Sequence, residues 1–189
     1  MTEASRFTAA LLREPLRASL ATRARKVAPP GKGRASAVLI PLFERPGGVH
    51  AWLVRRATGM RDHSGQVAYP GGKRDPADDS LLTTALREAE EEIGLARAEV
   101  DVIGALDDCV TITGFVITPY VGWIKDDVVP TPNAAEVARV FAAPLGAFLA
   151  EPTGMFPRTG WTIDGEFVWG ATAKITKSLV SLARELTAP

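Results

Sequence analysis

The chain has 189 residues, 46% of them hydrophobic, with 22 basic and 22 acidic side chains. That is enough apolar material for one compact core, and a formal net charge of zero excludes a general electrostatic pull toward nucleic acid or an anionic membrane. One cysteine, Cys109, excludes an internal disulfide; with no bilayer-length apolar run and no secretory layout at the N-terminus, a cytoplasmic location is expected.

Residues 1–25 read as one or two short helices, with Leu11, Leu12, Leu16 and Leu20 roughly on one face and an interruption near Pro15. The run 27–33, rich in Pro and Gly, reads as a linker. A helical segment plus linker is therefore expected over 1–34, ahead of one domain over 35–189. Arg23, Arg25, Lys26, Lys32 and Arg34 read as a solvated basic arm, with a phosphate-facing patch as the alternative. Cys109 reads as a small buried hydrophobe.

Strands are expected over 35–42 and 50–55, joined by a turn over 44–48, and over 99–106 and 115–124, separated by a polar turn over 107–114. A short strand over 136–141 and a helical turn over 144–149 follow. Runs 156–161 and 166–169 flank Asp164-Gly165, a hairpin signal. An amphipathic helix over 172–186 closes the chain. Mixed strands with two or three helices indicate an α/β sandwich with a mixed β-sheet core between helices.

The stretch that organises the chain is Gly71-Gly72-Lys73-Arg74-Asp75-Pro76-Ala77-Asp78-Asp79 and the helix expected over 80–93 after it. Asp78 or Asp79 is the expected N-cap, and Gly94 suits the left-handed residue past the last turn. At about 100° per residue, Leu82, Ala85, Leu86, Ala89 and Ile93 form the core-facing stripe. Glu88, Glu91 and Glu92 stand at i, i+3 and i+4 and are expected on a different face, pointing away from it. Such a cluster is unfavourable by roughly 0.2–0.5 kcal/mol per like-charged pair, and it sits where the helix dipole prefers cations. Arg87 relieves part of this by pairing with Glu91. Clustered carboxylates also suit Mg²⁺ or Mn²⁺, while a solvated acidic face is the plainer alternative. The Gly-Gly turn upstream favours the metal, since backbone there can approach a metal-bound phosphate.

Gly72 through Leu95, centred on Arg87-Glu88-Ala89-Glu90-Glu91-Glu92-Ile93-Gly94-Leu95, resembles the box of the Nudix hydrolases. The family pattern is Gly, five residues, Glu, seven residues, then Arg-Glu-apolar-any-Glu-Glu-any-Gly-apolar. The second half matches throughout with Ala89 as the apolar residue. In the first half the loop is one residue longer than the pattern, and Asp78 stands where the pattern has Glu. The resemblance implies the Nudix fold, with Glu88, Glu91, Glu92 and the Gly72 carbonyl holding Mg²⁺ or Mn²⁺. Arg87 would orient the carboxylates. Glu91 or another box glutamate, or Glu136, would be the general base.

A second constellation precedes the box. Arg56, Ala57, Arg61, Gly65, Pro70, Gly71 and Gly72 resemble, at the right spacing, the extra motif of the coenzyme A pyrophosphatase branch. Trp52-Leu53-Val54 keeps only the middle Leu of that motif's Leu-Leu-Thr, and Tyr69 replaces a Phe. Guanidinium groups bind phosphate through paired hydrogen bonds, so Arg56, Arg61, Gly65 and Gly71 are the expected substrate contacts. Residues 107–119 and 167–170 also look like this branch.

The resemblance implies hydrolysis of the diphosphate of coenzyme A or an acyl derivative, giving 3′,5′-ADP and 4′-phosphopantetheine. ADP-ribose, NADH or a nucleoside triphosphate is the alternative substrate, and a nucleotide-sensing module without catalysis is the alternative class. The expected partner is a nucleotide-type small molecule rather than nucleic acid or membrane, with a homodimer left open.

Overall fold

The computed structural model describes residues 7–58, 65–125, 127–155 and 158–188. Its spine is strand β1 (Arg34–Arg45), which turns at Pro46-Gly47 into β2 (Gly48–Arg56). β1 also pairs with β4 (Gly71–Lys73), antiparallel, and with β7 (Phe115–Ile124), parallel from Arg34↔Phe115 to Leu42↔Trp123. β2 carries β3 (Val67–Ala68) and β8 (Val137–Pro144); β7 carries β5 (Val100–Ala105) and β6 (Cys109–Val110). Among the described residues this makes one mixed sheet of eight strands. A three-stranded sheet is formed by β9 (Thr153–Met155), β10 (Arg158–Ile163) and β11 (Glu166–Trp169), the last two closing the expected hairpin at Asp164-Gly165.

Helices cover both faces of the large sheet. Side chains of β1 alternate, so Ala37 and Leu39 meet Ala85, Leu86, Ala89 and Ile93 of α2 (Leu81–Ile93), with Trp52, Val54, Ile124 and Val137. Ile40 and Leu42 face the opposite way, into a second core under α1 (Ala9–Thr22) and α3 (Gly170–Leu186). This is the α/β sandwich read from the sequence. Leu82 of the expected stripe is half-buried against the first core.

Helix α1 differs from expectation. It runs unbroken through Pro15, although an interior proline costs about 3 kcal/mol. Tertiary contacts offset that cost: Leu12, Leu16 and Leu20 are buried, while Leu11, expected beside them, is 48% exposed. Arg13 and Arg17 both bond Asp101 on β5, and Arg13 also lies over the Trp123 ring. Of the basic arm, Lys26, Lys32 and Arg34 are exposed as expected, while Arg23 and Arg25 are tied down. Arg23 pairs with Asp107 at 2.9 Å, Arg25 pairs with Asp108, and Asp108 also accepts from Ala28 N and Thr118 Oγ1. Asp108 thus joins both ends of the stretch 107–119.

Other bounds shift with pairing. β8 starts at Val137 rather than 136, because Glu136 is in a turn, and extends to Pro144, which pairs with His50. The polar turn 107–114 contains the short strand β6. Of the strand expected over 156–161, residues 156 and 157 lie outside the described residues. Cys109 is buried, and burial pushes its thiol pKa up. Among the described residues no helix is long and apolar enough to cross a membrane.

Candidate active site

Helix α2 begins at Ser80, whose Oγ accepts from Thr83 N at 3.1 Å, and ends at Gly94, left-handed at φ 67°. The cap is therefore neither Asp78 nor Asp79. Asp78 does something else: it is 4% exposed and holds Arg87. Arg87 Nε and Nη2 each donate to it at 3.1 Å, and Asp75 N (2.9 Å) and Thr84 Oγ1 (2.8 Å) donate to the same carboxylate. The loop, one residue longer than the box pattern, carries the shorter acid to its arginine. Arg87 in turn holds the Asp78 carboxyl well below the usual carboxylate range.

Fixed by Asp78, Arg87 aims Nη1 at two acids, Glu91 (2.8 Å) and Glu88 (3.1 Å). The expected Arg87–Glu91 pair is present. Glu91 is the outermost of the three glutamates, its side chain 53% exposed. Glu88 is half-buried beside Gly72, so closely that any Cβ at position 72 would overlap its carboxylate. Burial pushes the Glu88 pKa up against the pull of Arg87, and Glu91 and Glu136 add repulsion.

Glu92 does not point away from the core. It is 1% exposed. Arg56 Nη1 donates to its Oε1 at 2.9 Å and Gly71 N to its Oε2 at 3.1 Å. Burial raises its pKa to about 7, opposed by Arg56 and the Gly71 amide and reinforced by the charges of Glu88 and Glu136. Position 92 lies seven residues after Ala85 and three after Ala89, so helical spacing admits it to the buried face once a cation partners it.

The two constellations read from the sequence are thus brought together, through Arg56 and Gly71 on one side and Glu92 on the other. Glu136, whose carbonyl accepts from Ala57 N, is close enough to both Glu88 and Glu92 to raise their pKa values. Gly71 packs so tightly on β1 that a Cβ would strike Ala37 and Val38, and its amide is engaged by Glu92. Gly65 is left-handed at φ 69°, and among the described residues nothing lies within 4 Å of where its Cβ would stand. Arg61 lies outside the described residues.

The three residues that depart from the second motif, Trp52, Val54 and Tyr69, are packing positions, with Val54 fully buried. Tyr69 is buried with its hydroxyl 2.8 Å from Thr176 Oγ1, and burial raises its pKa. Trp52 packs on Phe43 with ring centroids 4.5 Å apart. Thr84, fully buried against Asp78, is the site residue that the sequence reading missed. Its signal was a polar side chain beside the apolar stripe, which needs a partner.

Among the described residues no three acidic, histidine or cysteine side chains converge as a ready-made metal cage. The donor chemistry nevertheless fits a hard divalent ion. Glu88, Glu92 and Glu136 repel one another in a partly desolvated place, and the absence of a side chain at Gly72 leaves its backbone open to the Glu88 carboxylate.

A family model described as the NUDIX domain matches residues 33–155. Nudix hydrolase NudL of Yersinia enterocolitica, named as uncharacterized, is 41% identical over 155 residues, covering 76% of this chain and 78% of that protein. NudL of Yersinia pestis strain Pestoides F is 40% identical over 157 residues, covering 77% and 78%. Among solved structures, a Nudix hydrolase from M. smegmatis, RenU, superposes with a TM-score of 0.60 at 20% identity, covering 82% of this chain and 88% of that one. The NUDIX domain of Shewanella oneidensis NrtR, solved with ADP ribose, gives 0.54 at 18% identity, covering 87% and 90%. At these identities the structural likeness is one of fold.

Proposed function

Since the chain belongs to the Nudix hydrolase family, we propose that it is a metal-dependent pyrophosphohydrolase whose preferred substrate is coenzyme A or an acyl derivative. The observation that carries this reading is the Arg56–Glu92 bond at 2.9 Å. It joins the coenzyme A-type motif to the box in one site, so a single ligand can engage both.

Glu88, Glu91, Glu92 and the Gly72 carbonyl would hold Mg²⁺ or Mn²⁺, which when bound supplies charge neutralisation on the diphosphate and a water of lowered pKa. Arg87, clamped by Asp78, holds Glu88 and Glu91 in place and is a positioning residue. Arg56 and Arg61 bind phosphate oxygens, Gly65 allows close backbone approach, and Gly71, packed on β1, holds Glu92 through its amide. Glu136, or Glu91 from the box, takes the proton of the attacking water. Water adds to one phosphorus, the bridging oxygen leaves with the other, and the products are 3′,5′-ADP and 4′-phosphopantetheine.

Comparing kcat/KM for coenzyme A, ADP-ribose, NADH and dGTP with Mg²⁺ tests the substrate. Coenzyme A is expected to lead. A chain preferring any of the others would keep the reaction class and lose the substrate. A chain that binds nucleotide without turnover would be a sensing module instead.

A further inference from the structure

Resting on that reading of the site, we infer that Arg56 is a built-in stand-in for the metal. It bonds Glu92, and a divalent ion that took this carboxylate would free its guanidinium for the substrate's diphosphate.

Three observations carry this. First, both Glu92 oxygens are already in use, one by Arg56 and one by the Gly71 amide, in a side chain with almost no solvent contact. A metal joining the Arg56-bonded oxygen would stand beside the guanidinium, two cations crowding one buried carboxylate. Second, the acids do not converge among the described residues, although Glu88, Glu92 and Glu136 sense one another's charge. Arg56 already supplies the counter-charge of Glu92. A buried carboxylate needs a counter-charge, and either cation can provide it. Third, Arg56 is not fully used by Glu92. Its Nε is buried with no acceptor among the described residues, so a phosphate oxygen would fill a vacant donor.

The β2–β8 register sets this up. It shifts between Arg55 and Arg56, pairing Arg55 with Arg139 and Arg56 with Val137. Arg55 pairs with Glu166 instead, while Arg56 faces Glu92 beside Glu136. Metal and Arg56 then compete for one carboxylate, and a diphosphate that captures Arg56 favours the metal. By linkage the metal favours the diphosphate equally. Arg56 thus makes an incomplete site unfavourable to load.

Mn²⁺ titration without nucleotide, followed by the electron paramagnetic resonance of free Mn²⁺, tests the competition, with circular dichroism confirming folding. Arg56→Gln is expected to tighten Mn²⁺ binding about tenfold, the scale of losing one charge-assisted competitor. Arg56→Lys, which keeps the charge, should stay close to the unsubstituted protein, and so should the control Arg55→Gln. Unchanged or weaker binding in Arg56→Gln, or equal tightening in Arg55→Gln, would overturn the competition while leaving the hydrolase reading intact. No Mn²⁺ binding by either the unsubstituted protein or Arg56→Gln, with coenzyme A or without it, would overturn both. Should Arg56→Gln fail to fold, a Mn²⁺-soaked crystal of the unsubstituted protein decides. Arg56 Nη1 separated from Glu92 supports the inference, and a retained 2.9 Å bond with metal present refutes it.

Discussion

Asp78 is the position at which stability and function are most tightly joined. Its carboxylate accepts four hydrogen bonds, two from Arg87 and one each from Asp75 N and Thr84 Oγ1, with almost no solvent contact. Asp78→Ala removes them all and leaves Arg87 and the buried Thr84 hydroxyl without their main partner. Breaking a buried, hydrogen-bonded ion pair from one side costs about 3–5 kcal/mol. At about 2–4 °C per kcal/mol for a chain of this size, Tm should fall by about 6–20 °C. Asp78→Asn keeps the shape and loses the charge, so its loss should be smaller. The sign with pH follows from the depressed carboxyl pKa. The charge contributes fully above the unfolded-state value near 4 and progressively less below it. The Tm gap between the unsubstituted protein and Asp78→Asn should therefore narrow as pH drops from 7 to 3. Thermal melts by circular dichroism at both pH values check this. A shift under about 3 °C for Asp78→Ala, or a gap that widens in acid, would refute the structural role given to this pair.

Gly72→Ala places a methyl against the Glu88 carboxylate; kcat and Mn²⁺ affinity should both fall, measured by steady-state kinetics and metal titration, and unchanged values would remove Gly72 from the site. Leu16→Ala empties a fully buried position under α1, so chemical denaturation should show a loss of about 2–5 kcal/mol, whereas no loss would mean that the helix is not part of the core. Tyr69→Phe gives up one bond to Thr176, whose hydroxyl keeps its bond to the Thr172 carbonyl. About 0.5–1.5 kcal/mol of stability should go and the substrate ranking should stay; a changed ranking would mean that Tyr69 reaches the ligand.

Much of the fold could be read because local signals and tertiary demands agree. The apolar run 115–124 between Gly114 and Lys125 is a strand with those bounds, and Gly94 ends α2 in the conformation that glycine favours. Where local signals were weak or opposed the outcome, the reading failed. β3, β4 and β6 have two or three residues each and exist through pairing with distant strands. Pro15 argued for a break that the buried leucines of α1 override. At the site, residue identities were legible and partners were not. Glutamate at 92 reads as solvated until Arg56, 36 positions earlier in the chain, supplies the counter-charge. Asp78 reads as a cap because its true partner, Arg87, lies more than two helical turns away.

The most direct test of metal-dependent hydrolysis is the turnover of coenzyme A with saturating Mg²⁺ by the folded variant Glu91→Gln, set beside the unsubstituted chain. A drop in kcat of about a hundredfold or more, with the melting curve retained, is expected from the loss of a ligand that stabilises developing charge. Hydrolysis by Glu91→Gln at the full rate would contradict it.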